Sequence, residues 1–445
     1  MQALIQRART WVGLDRAILF NLVGRVWSLL SGPVTLFLVG TRLSESEIGL
    51  FYNFFGILSL QVFLELGLGQ CLVQFASHEF AHLRFRADGT LEGEASARDR
   101  LLAMARLALN WYAVLAGLLI LLVGGGGHWF LSRQALGGAV WVGPWWALIV
   151  VAAFNLMTQP LWFMLEGCNQ VVFVNGYRTF AQIATGLAMW TTILLGGRLA
   201  ANASGMAGAV VVSLSLLLIQ RRSFLRQVLG HSARGATALL REIWPFQWRM
   251  ALSSASGYLI FSLFTPAITW LYGLEVGGRM GMTWQLASAL SMAASAWVST
   301  KAPRYGMLIS QRRFAELDAL ARQVMIRVVS LGVIGAVVMV AGVAWLKAHF
   351  AFGQRFLDLP SVAFLALATV SNLVMVSQAF YLRAHKREPF VWTAVADGLL
   401  VALGVATLGR AYGPRGACLA YAIIQTALLP FSTLIFRTCR CRWHA

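Results

Sequence analysis

Long apolar stretches follow one another along almost the whole chain, and short polar segments separate them. A helix needs about 20 mainly apolar residues to cross the hydrocarbon core of a bilayer. Stretches of about this length stand at residues 17–40, 50–77, 102–127, 144–166, 175–196, 205–219, 250–273, 282–300, 328–346, 361–382, 390–409 and 417–436. The pattern therefore predicts an all-α polytopic membrane protein with twelve transmembrane helices.

The composition supports this prediction. Of the 445 residues, 58% are hydrophobic and 12% are charged, whereas a soluble domain carries about 25% charged residues. No connection between the stretches is long enough for a folded extramembrane domain, which usually needs about 50 residues or more. The first stretch is longer than the apolar part of a typical signal peptide, so we expect no cleavable leader. We therefore expect the function to reside within the bilayer.

The net charge of +19 would favour nucleic-acid binding in a soluble protein, but here it predicts how the chain is oriented. If the N-terminus is cytoplasmic, 26 lysines and arginines fall in cytoplasmic segments, 8 in external segments and 2 inside the stretches. Cytoplasmic segments of membrane proteins carry such an excess of basic residues. The bias predicts that both termini are cytoplasmic and that the basic segments contact anionic lipid rather than nucleic acid.

The two halves of the chain share short motifs in the same order. The matched segments are Glu47–Gly49 with Glu275–Gly277, Asn155–Val174 with Asn372–Val391, and Gly205–Ala209 with Gly413–Ala417. The last match is a G-x-x-G-A pattern, whose small residues allow helices to pack closely in lipid. We expect an N-terminal six-helix lobe at 1–219, a basic cytoplasmic linker at 220–249 and a C-terminal six-helix lobe at 250–445. Six helices per lobe predict parallel repeats related by a pseudo-two-fold axis, around a central cavity, as in many transporters.

Ionisable side chains inside the hydrocarbon are costly and usually face a cavity or a partner. Arg25 lies about eight residues into the first stretch, and Asn21 precedes it by one helical turn. Glu65 lies inside the second stretch. Arg25 and Glu65 are predicted either to form a structural ion pair or to face a cavity, where Arg25 attracts an anion that Glu65 helps to hold. Asp397, in the eleventh stretch, is a candidate for binding a coupling ion, or it forms a hydrogen bond between helices. Glu65 is the second candidate for binding a coupling ion.

Further polar residues are candidates for substrate binding. Arg106 lies near a predicted cytoplasmic end, where its side chain either extends to the interface or meets substrate. Arg178 opens the fifth stretch and is placed to contact the phosphate of lipid or of substrate. Asn155 and Gln159 give the fourth stretch a polar character.

No spacing of His, Cys and carboxylate residues indicates a metal site, and no phosphate-binding loop indicates ATP. We therefore expect no cofactor and no enzyme activity. The enzymatic alternative is a membrane glycosyltransferase or polysaccharide polymerase. The absence of a long external loop for an acceptor disfavours it.

Three segments of the first two stretches carry a family resemblance: Asn21–Arg25, Leu43–Tyr52 and Phe63–Gly69. Together they resemble the opening of bacterial polysaccharide flippases of the O-antigen type. These flippases belong to the multidrug/oligosaccharidyl-lipid/polysaccharide exporter superfamily, and the G-x-x-G-A pattern is similar to theirs. The resemblance covers the whole chain in architecture and is strongest over 17–80.

The resemblance implies a flippase of the bacterial inner membrane that works by alternating access. Its substrate would be an undecaprenyl-diphosphate-linked oligosaccharide, the precursor of a surface polysaccharide such as the O-antigen of lipopolysaccharide, moved to the periplasmic leaflet. Arg25 would hold the diphosphate, since a guanidinium binds phosphate in a bidentate manner. Polysaccharide polymerase and glycosyltransferases are the expected partners. The seventh stretch has no internal Arg or Lys, which departs from the family, and a cation-coupled multidrug exporter of the same fold is the alternative.

Overall fold

The structure is a computed structural model. It describes residues 16–86, 88–134, 139–231, 251–252, 255–385, 387 and 389–444, leaving out the side chains of 16–22, 25, 29, 70, 139, 299, 302 and 303. Each predicted stretch lies mainly on helical backbone where it is described. Seven helical segments of the described residues are long and apolar enough to cross a membrane. The prediction of an all-α polytopic membrane protein is therefore confirmed, while the number of twelve crossings stays a prediction.

The helices with printed bounds are, in chain order, α1 (Arg16–Arg42), α2 (Glu45–Leu58), α3 (Val62–Glu65), α4 (Leu68–Phe80), α5 (Ala95–Leu118), α6 (Gly125–Gln134), α7 (Val142–Gly167), α8 (Val171–Leu194), α9 (Ala200–Gln220), α10 (Arg222–Gly230), α11 (Phe264–Tyr272), α12 (Leu274–Ser310), α13 (Phe314–His349), α14 (Leu359–Ala384), α15 (Val391–Gly404) and α16 (Arg410–His444). Residues 255–261, before α11, are also helical. Two π-helical segments, Leu119–Gly124 and Val405–Gly409, follow α5 and α15. The range of α16 contains a kink, because Gly413 has a non-helical backbone with a φ of 66°.

The chain divides into two compact units. The N-terminal unit contains the described residues of 1–38, 60–133 and 137–251, and the C-terminal unit contains those of 39–59, 134–136 and 252–445. The end of α1 and all of α2 therefore belong to the C-terminal unit. Most of the predicted linker lies outside the described residues, so the division at 219 and 250 stays a prediction.

The second predicted stretch, 50–77, is wrong as one continuous helix. It consists of α2, a short 3₁₀ segment, α3 and α4, and it breaks between α3 and α4. At the break, Leu66 and Gly67 adopt left-handed backbone with φ of 50° and 71°. Glycine adopts this conformation without strain and leucine only at a cost. The break follows directly on Glu65, so it ends α3 at the carboxylate.

A β-hairpin joins α4 to α5, which the apolar pattern did not predict. Strands β1 (Leu83–Phe85) and β2 (Leu91–Gly93) pair antiparallel. In the turn between them, Asp88 accepts a hydrogen bond from the backbone of Thr90 at 2.9 Å, and Gly89 has a φ of 82°. An Asp-Gly pair between two short segments is a strong hairpin signal. The hairpin was therefore readable from the sequence.

The repeated G-x-x-G-A motif marks a close backbone contact in both units. A Cβ added at Gly208 of α9 would lie 2.8 Å from the carbonyl oxygen of Ala184 on α8. In the C-terminal unit, a Cβ added at Gly416 of α16 would overlap the carbonyl oxygen of Leu408. Small residues are what allows helices in a membrane to approach this closely. Both copies of the motif thus make close contacts, with a neighbouring helix in the N-terminal unit and across the kink at Gly413 in the C-terminal unit.

The Glu47–Gly49 segment and its counterpart Glu275–Gly277 pack together within the C-terminal unit. A Cβ added at Gly49 of α2 would overlap the carbonyl oxygen of Leu274, at the start of α12. Beside this contact, Arg279 pairs with Glu45 at 3.0 Å. The segments that match in sequence therefore stand side by side in this unit.

Candidate functional site

The predicted site in the N-terminal unit contains Glu65, the last residue of α3. Its Oε1 accepts a hydrogen bond from the Gln61 amide at 2.9 Å, and its Oε2 accepts one from the hydroxyl of Tyr112 at 3.5 Å. Tyr112 is buried on α5. Among the side chains that the structure describes, the partners of Glu65 are these two neutral donors. The carboxylate is therefore held inside the unit without an ion pair from that part of the chain.

Two other members of this predicted site, Asn21 and Arg25, are on α1. Their side chains lie outside the described residues. The predicted pairing of Arg25 with Glu65, and the predicted contact of Arg25 with an anion, both stay predictions.

The residues next to Arg25 define the face of α1 that packs on α8. A Cβ added at Gly24 would lie 3.0 Å from Thr179 Oγ1, and the indole of Trp27 donates to the carbonyl oxygen of Gln182 at 3.1 Å. Successive helical residues are turned by about 100°. Position 25 therefore lies about 100° around the helix axis from Gly24, the glycine that packs on α8.

The predicted phosphate contact Arg178 is paired with a carboxylate. Its guanidinium donates to both oxygens of Glu166 at 3.3 and 2.6 Å, joining α8 to the end of α7. The Arg178 side chain is 45% exposed, and an exposed pair contributes little to stability. Arg106 is half-buried on α5, and no ion pair joins it to another described side chain.

Side chains of the fourth stretch form hydrogen bonds within the N-terminal unit. The Gln159 amide donates to Asn155 Oδ1 at 3.4 Å, one turn away on α7. Further along α7, the indole of Trp162 donates to the hydroxyl of Ser213 on α9 at 2.7 Å. Its ring stacks on Tyr177, with centroids 3.7 Å apart. These contacts tie α7 to α8 and α9.

Asp397 of the C-terminal unit belongs to a chain of hydrogen bonds across three helices. Its Oδ1 accepts from the Gln425 amide at 2.7 Å, and Gln425 Oε1 accepts from the Asn372 amide at 3.1 Å. Asp397 is 6% exposed and Gln425 is fully buried. The structure thus shows the hydrogen bond between helices that was one of the two alternatives for Asp397. Its role in ion coupling stays a prediction.

A cavity of about 340 Å³ lies beside these hydrogen-bonded side chains, and Asn372 lines it. One wall is the serine face of α12, formed by Ser288, Ser291 and Ser295. This face was not predicted from the sequence, although serines at i, i+3 and i+7 fall on one side of a helix. All three lie inside the predicted eighth stretch, where hydroxyl groups are expected to face a cavity rather than lipid.

A second cavity of the C-terminal unit, of about 490 Å³, lies at the ends of helices that are predicted to be cytoplasmic. Arg322, Arg437 and Arg440 line it together with Asp318. The hydroxyl of Tyr381 donates to Asp318 at 2.5 Å. With three arginines against one carboxylate, this cavity carries a net positive charge.

In the part of the chain that is described, no group of three or more His, Cys, Asp or Glu side chains is arranged to hold a metal ion.

The fold of the chain is shared with proteins of known structure. No model of a protein family matches the sequence, and no curated protein matches it. The chain is similar over 94% of its length to 87% of the lipid II flippase MurJ in an inward closed conformation, with a TM-score of 0.67 and 14% identity.

Two further solved structures are similar over nearly their whole length. The chain matches 95% of an inward-facing multidrug resistance MATE family transporter of the MOP superfamily over 96% of its own length, with a TM-score of 0.61 and 13% identity. It matches 96% of a MOP superfamily transporter from Pyrococcus furiosus over 97% of its length, with a TM-score of 0.59 and 14% identity. At these identities the likeness establishes architecture: the chain has the fold of the MOP-superfamily transporters.

Proposed function

We propose that the protein is a flippase for an undecaprenyl-diphosphate-linked oligosaccharide, the precursor of a bacterial surface polysaccharide. The observation that carries the proposal is the likeness over almost the whole chain to a lipid II flippase. The family resemblance of the first two stretches points in the same direction. The protein would sit in the inner membrane with both termini in the cytoplasm, and polymerase and glycosyltransferases would be its partners.

The physical requirements of such a substrate agree with the residues of the chain. A diphosphate cannot cross hydrocarbon without a partner, and Arg25, in the first stretch, offers a bidentate donor for it. The glycan needs uncharged polar contacts, and the serine face of α12 provides three hydroxyl groups at the depth of the predicted eighth stretch. The predicted cytoplasmic excess of arginine would concentrate anionic lipid where the precursor is made.

The second candidate function is cation-coupled export of drugs, as the name of the MATE transporters suggests for those proteins. It is favoured by the carboxylates Glu65 and Asp397, which both lie in predicted stretches and accept hydrogen bonds from neutral donors. Such carboxylates are suited to binding a proton or a cation. Glu65→Gln should abolish ion-coupled efflux of ethidium if this function is correct.

The proposal is tested by replacing Arg25 in the producing cells. Arg25→Ala should stop the export of surface polysaccharide and leave the lipid-linked precursor in the cytoplasmic leaflet, whereas Arg25→Lys should retain part of the activity. Arg98→Ala is the matched control, because this arginine lies at the start of α5 outside the predicted stretches. If the Arg25→Ala protein reaches the membrane in normal amounts and export continues unchanged, the proposed contact with phosphate is wrong.

A further inference from the structure

The cavity beside the serine face of α12 carries no charge, and its lining is more apolar than polar. Its lining combines hydroxyl groups, the Asn372 amide and aromatic rings, and no Asp, Glu, Lys, Arg or His lines it. A diphosphate would find no cation in this described lining, and a cation would find no carboxylate. A neutral ligand portion that has both hydrogen-bonding groups and an apolar face matches it best. A volume of about 340 Å³ is at the lower end of the range for small-molecule sites, which is about 300–1,000 Å³.

On the hydroxyl wall, Ser295 presents a hydrogen-bond acceptor to the cavity. The Ser295 hydroxyl donates its proton to the backbone carbonyl of Ser291 at 2.7 Å, as serines inside helices commonly do. The two lone pairs of its oxygen are then the groups left for a ligand. Ligand hydroxyl and amide groups are donors that such an oxygen binds.

The hydrogen-bond chain from Asp397 fixes the polarity of the amide at the other wall. Gln425 turns its NH₂ towards the carboxyl oxygen of Asp397 and its own oxygen towards the Asn372 amide. Asn372 must then donate through its own NH₂, and its Oδ1 is the amide atom left to accept from a ligand. The observed bonds of 2.7 and 3.1 Å follow this order. Asp397 therefore acts as a positioning residue for Asn372.

The aromatic side of the cavity is held rigid. Trp284 stacks against Phe264 with centroids 4.7 Å apart, and Tyr421 lies 5.6 Å from the Trp284 ring. The negative face of an aromatic ring attracts the slightly positive C–H groups of a sugar ring. Aromatic faces also attract cations, but the serine and amide acceptors give a sugar many more hydrogen bonds than an aromatic drug cation.

We propose that this cavity binds a sugar residue of the transported lipid, with Ser291, Ser295 and Asn372 accepting hydrogen bonds from its hydroxyl or amide groups and Trp284 covering its apolar face. This inference rests on the proposed flippase function and adds the place where the glycan is recognised. In this proposal the C-terminal unit binds the sugar, whereas the predicted contact with the diphosphate is made by Arg25 of the N-terminal unit.

The test compares two lipids by native mass spectrometry of the full chain in nanodiscs. One is the lipid-linked oligosaccharide extracted from the producing cells, and the other is undecaprenyl diphosphate without sugar. The wild-type protein should prefer the sugar-bearing lipid. Ser291→Ala and Ser295→Ala should each weaken its binding about 2- to 12-fold, the loss of one hydrogen bond, and leave the sugar-free lipid unaffected. Ser310→Ala, at the end of the same helix outside the cavity, is the control.

The positioning role of Asp397 has its own readout in the same assay. Asp397→Leu should lower the preference for the sugar-bearing lipid, whereas Asp397→Asn, which keeps an acceptor for Gln425, should retain most of it. A purely structural role would lower the binding of both lipids together and leave their ratio unchanged.

The proposal is overturned if the serine variants weaken both lipids equally or neither, or if ethidium occupies the cavity and Trp284→Leu abolishes its binding. Failure of the flippase function is a separate result. In that case the wild-type protein would bind the sugar-bearing lipid selectively and yet not move it across the membrane in proteoliposomes.

Discussion

Removing Gln425 breaks the hydrogen-bond chain of the C-terminal unit at its centre. In Gln425→Leu the side-chain volume is nearly kept, but Asp397 loses its donor and Asn372 loses its acceptor. A hydrogen bond to a charged group contributes about 1.5–3 kcal/mol and a neutral one about 0.5–1.5 kcal/mol. Within membranes single hydrogen bonds average only about 0.6 kcal/mol. For the two bonds together, the expected loss of stability is therefore about 1–4 kcal/mol.

Unfolding of the purified protein by denaturant, followed by tryptophan fluorescence, measures this loss. Ser432→Ala on the same helix is the control: its hydroxyl bonds the backbone of its own helix, and its loss should cost about 1 kcal/mol or less. A double-mutant cycle with Asp397→Leu should give a coupling of about 1–3 kcal/mol, because each single variant strands a partner that the double variant removes. A coupling of zero would refute the reasoning that Gln425 exists to satisfy Asp397.

Four further predictions concern other parts of the chain. Gly208→Leu should lower the thermal stability by about 1–3 kcal/mol by overpacking its helix contact, whereas Gly117→Leu, where an added Cβ meets nothing within 4 Å, should not. Trp162→Ala should cost about 3–5 kcal/mol in the same melting experiment. Hydrogen bonds from Arg86 lower the pKa of Glu92 from 4.5 to about 2. The contribution of Glu92 to the stability of the hairpin should therefore be complete above pH 4.5 and be lost as the pH falls through about 2. NMR titration of the Glu92 carboxyl group measures this pKa. Ser310→Cys, in a cysteine-free background, should react with an impermeant maleimide only from the cytoplasmic side; labelling from outside would contradict the predicted orientation.

The helical stretches were predictable because the bilayer imposes a long apolar run on any helix that crosses it. The close contacts of Gly208 and Gly416 were also predictable, because small residues repeated at a matched spacing indicate tight packing. The break after Glu65 and the hairpin at Asp88 do not follow from the apolar pattern. Their glycine signals are local, and a hydropathy pattern averaged over a whole span does not register them.

The partners of the buried polar residues were not predictable from the sequence. Asp397 accepts a hydrogen bond from Gln425 on α16, and Glu166 pairs with Arg178 across a helix connection. Such choices depend on which helix faces pack together, and that depends on the tertiary fold. The serine face of α12 was predictable as a polar stripe, but its cavity becomes visible only with the aromatic and amide residues that other helices contribute.

The most direct test of the proposed flippase function uses the purified protein in proteoliposomes that contain the lipid-linked oligosaccharide extracted from the producing cells. A membrane-impermeant reagent that modifies the glycan reports how much of it is exposed on the outer leaflet. The flippase account predicts that the wild-type protein makes the inner pool of this lipid accessible and that Arg25→Ala does not. It would be contradicted if the inner pool stayed protected while the same vesicles exported ethidium along an ion gradient.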